Sequence, residues 1–288
     1  MRLFLLTLAL ILCCTTTCRA GDVIVVADGK LRPVVEIVSG ISKTLKTPLR
    51  TYSPVQVRGR LETVVAEEQA KVVVALGKEA LAEALHLPTH ILVIYDMVVV
   101  PPPISRPNTT GFYMATPARE YAEFISNHLH DAFTQIAVIG SREQIHLLAR
   151  GDSSRLSTYS VRNTYDFVTT LQQLGSADAI LLLPDISMLT QTALDEAYLL
   201  SFKRKIPLLG VSEKHVKDGA LFALVVDPVN VGRLIGEYAS RALKGANVGQ
   251  LPPSPPRKFE LFLNLDTARK MGIRVPEDLL RMAKRTYP

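Results

Sequence analysis

Residues 219–245 read GALFALVVDPVNVGRLIGEYASRALKG, residues 251–256 read LPPSPP, and residues 259–283 read FELFLNLDTARKMGIRVPEDLLRMA. The first stretch holds a short apolar strand, Gly219–Val226, that ends at Asp227-Pro228. An amphipathic helix with a small-residue face follows over Val229–Lys244. Pro at the first helical position after an Asp cap is a helix-start signal, because its missing N–H would be unsatisfied there anyway. The Pro-rich run is a polar, rigid connection. Beyond it the pattern gives a strand and then two short helices.

The same alternation extends back through the chain. Apolar runs of strand length fall at Val23–Ala27, Leu49–Tyr52, Lys71–Leu76, Ile91–Tyr95, Gly111–Met114, Ile136–Ile139, Ser157–Val161, Ala179–Leu183, Leu208–Val211 and Leu221–Val226. Several are near-continuous Val, Ile and Leu, as expected of parallel strands buried on both faces. Segments with apolar spacings of three and four lie between them: Val34–Lys46, Arg58–Gln69, Pro117–Asp131, Arg142–Arg150, Asp166–Leu174 and Leu189–Lys205. Strands alternating with helices argue for an α/β fold built of βαβ units. The stretch PPPISRPN, Pro101–Asn108, has low propensity for either element and divides the strands into two groups. We therefore expect two Rossmann-like lobes, each with a parallel sheet.

The N-terminus, MRLFLLTLALILCCTTTCRA, has Arg2 followed by an apolar run of twelve residues, Leu3–Cys14. That run suits a secretory leader and is shorter than the ~20 residues of a bilayer span. Cys18 and Ala20 put small residues at −3 and −1 of a cut before Gly21, so residues 1–20 are expected to be a cleaved signal peptide. Leu12, Cys13 and Thr17 precede the cysteines where a lipoprotein signal needs a small residue, which argues against a lipid anchor. All three cysteines, Cys13, Cys14 and Cys18, lie in the leader. The remaining chain of about 268 residues has no disulfide to rely on and is long enough to fold on its core alone.

Removing Arg2 and Arg19 from the 33 basic residues leaves 31 against 27 acidic ones, a net +4. The basic runs Lys203-Arg204-Lys205 and Arg281-Lys284-Arg285 read as solvated helix faces, and aromatics are sparse. We expect no nucleic-acid partner. No GxSxG, HExxH, Walker loop or GxGxxG occurs. The one close histidine pair, His128 and His130, would diverge by about 200° on a helix and share no metal face. No catalytic residue, metal or cofactor is therefore expected.

Four stretches carry a family resemblance. They are Ala70–Ala80 (AKVVVALGKEA), Arg106–Gly111 (RPNTTG), Lys205-Ile206-Pro207 with Val216–Leu221 (VKDGAL), and Phe262–Ala268 (FLNLDTA) with Gly272-Ile273 and Pro276. In order and spacing they resemble the ABC-transporter substrate-binding proteins of the tryptophan/tyrosine type, which have a type I periplasmic-binding fold. The resemblance implies a signal peptide over 1–20, a first lobe of 21–112 plus about 224–256, and a second lobe of 113–223 plus about 257–288. It implies that Gly219–Val226 crosses back to the first lobe and that Val229–Lys244 packs there. It implies a periplasmic, monomeric protein that captures an amino acid or similar small polar ligand by hinge closure and delivers it to an ABC permease. A sensory or accessory module for another membrane partner would need the same cleft, and an exported enzyme on this fold is a further alternative.

Open α/β sheets bind ligands beyond the carboxyl ends of their strands, where helix N-termini present free N–H groups. The strand ends give Asp28-Gly29, Lys78 and Asp96 in the first lobe, and Ser141-Arg142, Asp185, Ser187 and Ser212 in the second. Arg142 or Lys78 suits a ligand carboxylate, and Asp28, Asp96 or Asp185 suits its ammonium. Plainer readings stand beside these: an ordinary turn at Asp28-Gly29, a solvated Lys78, an N-cap at Ser141 and a loop cap at Asp185. Three of these loops depart from the family pattern: Asp96-Met97-Val98 where it has Asp-Pro-Val, Ser141-Arg142 where it has Asn-Pro, and Asp185-Ile186-Ser187 where it has Asp-Asn-Thr.

Overall fold

The computed structural model describes residues 22–99, 101, 103–129, 133–149, 154–184, 188–255 and 258–288. The expected leader, His130, Asp185 and Ser187 lie outside the described residues. The chain divides into two units. One takes in the described residues up to Tyr95 with Arg106–Thr110 and Gly232–Leu251; the other takes in Asp96–Ser105, Gly111–Val231 and Pro252–Pro288.

The first unit carries a five-stranded sheet of order β2-β1-β3-β4-β5, formed by Leu49–Tyr52, Val23–Val26, Val72–Leu76, Leu92–Asp96 and Thr109–Gly111 respectively. β1 pairs in parallel with both β2 and β3. Every residue of β1 and β3 is buried, which explains their unbroken apolar sequence. Helices α1 (Arg32–Thr44), α2 (Pro54–Val57), α3 (Leu61–Glu68) and α4 (Lys78–Ala84) link the strands. The expected single helix over Arg58–Gln69 is split. Ser53 caps α2 through a reciprocal bond with Gln56, and Gly59 at φ +67 ends that turn before α3 starts.

Arg106 ties the end of this unit together. Its guanidinium donates to the carbonyls of Pro88 (2.6 Å), Ile91 (2.7 Å), Leu87 (3.2 Å) and Asn108 (3.1 Å), and to Thr109 Oγ1 (2.8 Å). A planar fork of five donors can satisfy so many acceptors at once; a lysine could not.

The second unit carries a seven-stranded sheet of order β12-β11-β10-β9-β8-β6-β7. β6 is Ile136–Gly140, β7 Leu156–Ser160, β8 Ala179–Leu182, β9 Leu208–Gly210, β10 Phe222–Val226, β11 Phe259–Asn264 and β12 Ala283–Tyr287. The period of two sorts the side chains. Ile136 and Val138 of β6 face a core with Tyr121 and Ile125 of α5 (Ala118–His128). Ala137 and Ile139 face a second core with Phe167 of α7 (Thr164–Gln173) and Ala197 of α8 (Gln191–Arg204). Between β6 and β7 runs α6 (Arg142–Leu148), and between β9 and β10 runs α9 (Glu213–Asp218).

Two expectations are corrected here. Gly219–Val226 does not leave this sheet: β10 pairs in parallel with β9 and antiparallel with β11. The change of unit falls later, between Val231 and Gly232 inside α10 (Pro228–Leu243). The basic tail is also no helix face beyond Met282. After α11 (Leu265–Met271) and α12 (Glu277–Met282), residues 283–287 form β12 along β11. Lys284 pairs with Glu260 at 2.8 Å and Arg285 with Glu213 at 2.6 Å. A short strand with two basic residues has weak local preference, so the neighbouring strand decides its conformation.

The other basic run, Lys203-Arg204-Lys205, is exposed as expected. Arg204 also donates to the carbonyls of Leu174 (3.0 Å) and Leu171 (3.3 Å) at the end of α7. It thereby satisfies orphan acceptors of that helix terminus.

Candidate ligand-binding edges

In the first unit, β1, β3 and β4 are neighbours, so the loops after them emerge side by side at the carboxyl edge. Asp28 is exposed, and its Oδ1 accepts from Lys30 N at 3.1 Å, an Asx turn. Gly29 has open space where a side chain would be and no positive φ, so its backbone alone does not require glycine. Lys78 is the exposed first residue of α4, behind Gly77 at φ +97, and has no ion pair among the described residues.

Asp96 differs from all of these. It is the last residue of β4, fully buried, and neither carboxylate oxygen has a hydrogen-bond partner of good geometry. Burial pushes its pKa up to about 7 from 3.8; the N–H of Met97 leans toward the carboxylate and offsets only part of this. Met97 itself sits at φ +59, in the left-handed region that costs a non-glycine residue of order 1 kcal/mol or more. A buried acid without a partner beside a strained residue is stable only if surrounding structure enforces it. Sites of this kind cluster where ligands bind.

In the second unit the analogous edge follows β6, β8 and β9, which are again neighbours. Ser141 caps α6 in a reciprocal bond with Gln144, and Ser212 caps α9 by accepting from His215 N at 3.2 Å. The plainer reading of Ser141 is therefore true of its oxygen. Each hydroxyl still has a proton to donate, because capping uses only the lone pairs. Arg142 is exposed at the first turn of α6, with no ion pair among the described residues. Gln144 Nε2 also donates to the carbonyl of Pro184, which fixes the end of the β8 segment one residue before Asp185. Asp227 Oδ1 accepts from Val229 N (2.9 Å) and Asn230 N (3.2 Å), so it caps α10 as its Asp-Pro sequence indicated.

Two features escaped the sequence reading. Gln144 is buried because Gly140 leaves it room: a Cβ on Gly140 would lie 3.0 Å from its Oε1. Leu31, in the loop after β1, and Val55, in the short helix α2 after β2, are 47% and 73% exposed and place apolar surface at the first unit's carboxyl edge. Their only sequence signal is an apolar residue just beyond a turn, which is weak. Among the described residues no group of His, Cys, Asp and Glu could hold a metal, and no helix is long and apolar enough to cross a membrane.

Two units with mainly parallel sheets, and capped helices at the carboxyl edge of each, define the class of type I periplasmic-binding-like folds. The family model described as "ABC transporter substrate binding protein" matches residues 106–287, and the chain belongs to that family. Its members are substrate-binding proteins that work with ABC permeases and are normally extracytoplasmic.

The chain is 28% identical over 149 residues to an uncharacterised protein of Rickettsia prowazekii, covering 49% of this chain and 46% of that one. It is 24% identical over 150 residues to a tyrosine-binding protein of Clostridioides difficile, covering 48% and 43%. The match thus spans a little under half the length of these relatives. Among solved structures, a ligand-free, open substrate-binding protein with adhesive properties from Clostridium difficile superposes with a TM-score of 0.67 at 12% identity. That alignment covers 92% of this chain and 98% of the other. An ABC domain in complex with L-Trp from Streptococcus pneumoniae gives 0.57 at 17% identity, with 92% and 98% coverage.

Proposed function

We propose that this protein is the exported solute receptor of an ABC importer and that its ligand is an amino acid or a close analogue. The leader over residues 1–20 would place it in the periplasm, where it acts as a monomer. The two units are the lobes, and hinge closure traps the ligand for delivery to the permease. The observation that carries the ligand class is Asp96. A buried carboxylate without a partner is costly, and a ligand ammonium is the group that relieves that cost. Lys78, Arg142 and the free N–H groups at the starts of α4 and α6 suit the ligand carboxylate. Ser141 and Ser212 donate their remaining protons, Asp28 and Gly29 line the first unit's edge, and Asp185 and Ser187, by their place in the sequence after β8, are assigned to the same role. The tyrosine-binding relative and the structural neighbour in complex with L-Trp support the class.

A thermal-shift screen of the wild type and Asp96→Asn against amino acids and their des-amino carboxylates tests this. Amino acids are expected to raise the melting temperature of the wild type and not of the variant. Equal stabilisation by the des-amino compounds would remove Asp96 as ammonium anchor. No stabilisation by any of a broad amino-acid panel would remove the ligand class.

A further inference from the structure

In the second unit a half-open cavity of about 410 Å³ lies between α5 and the β11–β12 edge, and its lining includes none of the strand-end candidates named above. Glu120, Glu123, Phe124 and Asn127 line it from α5, at the three- and four-residue spacing of one helix face. Its apolar lining is Phe124, Leu224, Phe259, Leu261 and Met282. The Phe124 ring is held between His128 and Phe222, with centroids at 4.9 and 5.2 Å.

The charges in this cavity are unbalanced. Three carboxylates, from Glu120, Glu123 and Glu260, face one lysine, Lys284, whose ammonium is engaged by Glu260 at 2.8 Å. The other basic side chain, His128, is turned to Asp278 with 3.1 Å between Nδ1 and Oδ2. Glu120 lies 3.3 Å from Arg119, and Glu123 has no ion pair or hydrogen bond among the described residues. This surplus of acid stands on a chain of net charge +6.

We propose that this cavity is a second binding site, for a small aromatic or aliphatic ammonium ion. The volume falls in the range of small-molecule pockets. The apolar floor takes the organic body, and the Phe124 and Phe259 rings together with the glutamate rim take the cation. An anion would meet three carboxylates, and a neutral apolar ligand would make no use of them. The site does not depend on the strand-end loops or on Asp96.

The test is a titration of the ¹⁵N-labelled full chain with 2-phenylethylammonium and with its neutral counterpart 2-phenylethanol. Saturable shifts are expected in the amides of Glu120–His128 and Phe259–Leu261, with the alcohol at least about fivefold weaker. The double variant Glu120→Gln, Glu123→Gln keeps the apolar lining and should weaken the ammonium by a similar factor. The proposal is overturned if no shifts arise by ~10 mM, or if the alcohol binds equally well. It is also overturned if the double variant binds as the wild type does, or if the shifts fall only on the strand-end loops.

Discussion

The Asp96 carboxyl group has its pKa raised from 3.8 to about 7, and the direction of the effect follows from which state holds the proton. Between those values the folded chain keeps a proton that the unfolded chain has released. Rising pH therefore favours unfolding. The contribution is fully present below about pH 4 and is lost as pH climbs through about 7, at a cost of ~4 kcal/mol at most. Asp96→Asn is neutral at every pH, so without ligand it should melt above the wild type at pH 8 and close to it at pH 4.5. Calorimetry at the two values checks this, and parallel pH profiles for the two proteins would mean that Asp96 ionises freely. A ligand ammonium has the opposite preference, since it pairs with the ionised form. Amino-acid affinity should therefore rise by roughly 25-fold from pH 5.5 to 7.5.

Between elements, α10 approaches α1 closely in the first unit. A Cβ on Gly232 would stand 2.0 Å from the carbonyl oxygen of Ile37 and 2.9 Å from Gly40 Cα. Those are backbone atoms of a helix and cannot turn aside. A Cβ on Gly236 would meet Thr44 Cβ at 3.0 Å and Ile41 O at 3.1 Å, where a few tenths of an ångström suffice. Gly232→Ala should thus lose ~3 kcal/mol or more of unfolding free energy in urea, and Gly236→Ala about 1 kcal/mol. If the two variants were equally stable, the contact of α10 with α1 would be looser than described. The small-residue face of this helix was readable in the sequence because its spacing is periodic. The partner against which it packs was not, because α1 lies almost two hundred residues away.

For the molecule as a whole, the sequence makes the architecture legible and leaves the chemistry of the edges obscure. Strands such as Val72–Leu76 announce themselves because burial on both faces demands unbroken apolar residues. The strand Ala283–Tyr287 does not, since its conformation comes from β11 rather than from its own composition. Asp96 was singled out by its place at a strand end; its burial and missing partners exist only in three dimensions.

The proposed capture makes a prediction at this largest scale. The chain changes unit at several points, among them the Tyr95–Asp96 and Val231–Gly232 peptides, so the proposed engagement of a ligand by Asp96 would act at one of these connections. Ligand can shift an open–closed equilibrium only by its differential affinity for the two states. An amino acid at a hundred times its Kd should therefore add ~2.7 kcal/mol of stability, about 5–10 °C in melting temperature for a protein of this size. It should also lower the radius of gyration in solution scattering. Asp96→Asn should lose both responses together. A wild type that gains stability with an unchanged radius would keep the receptor role and rule out closure as its mechanism.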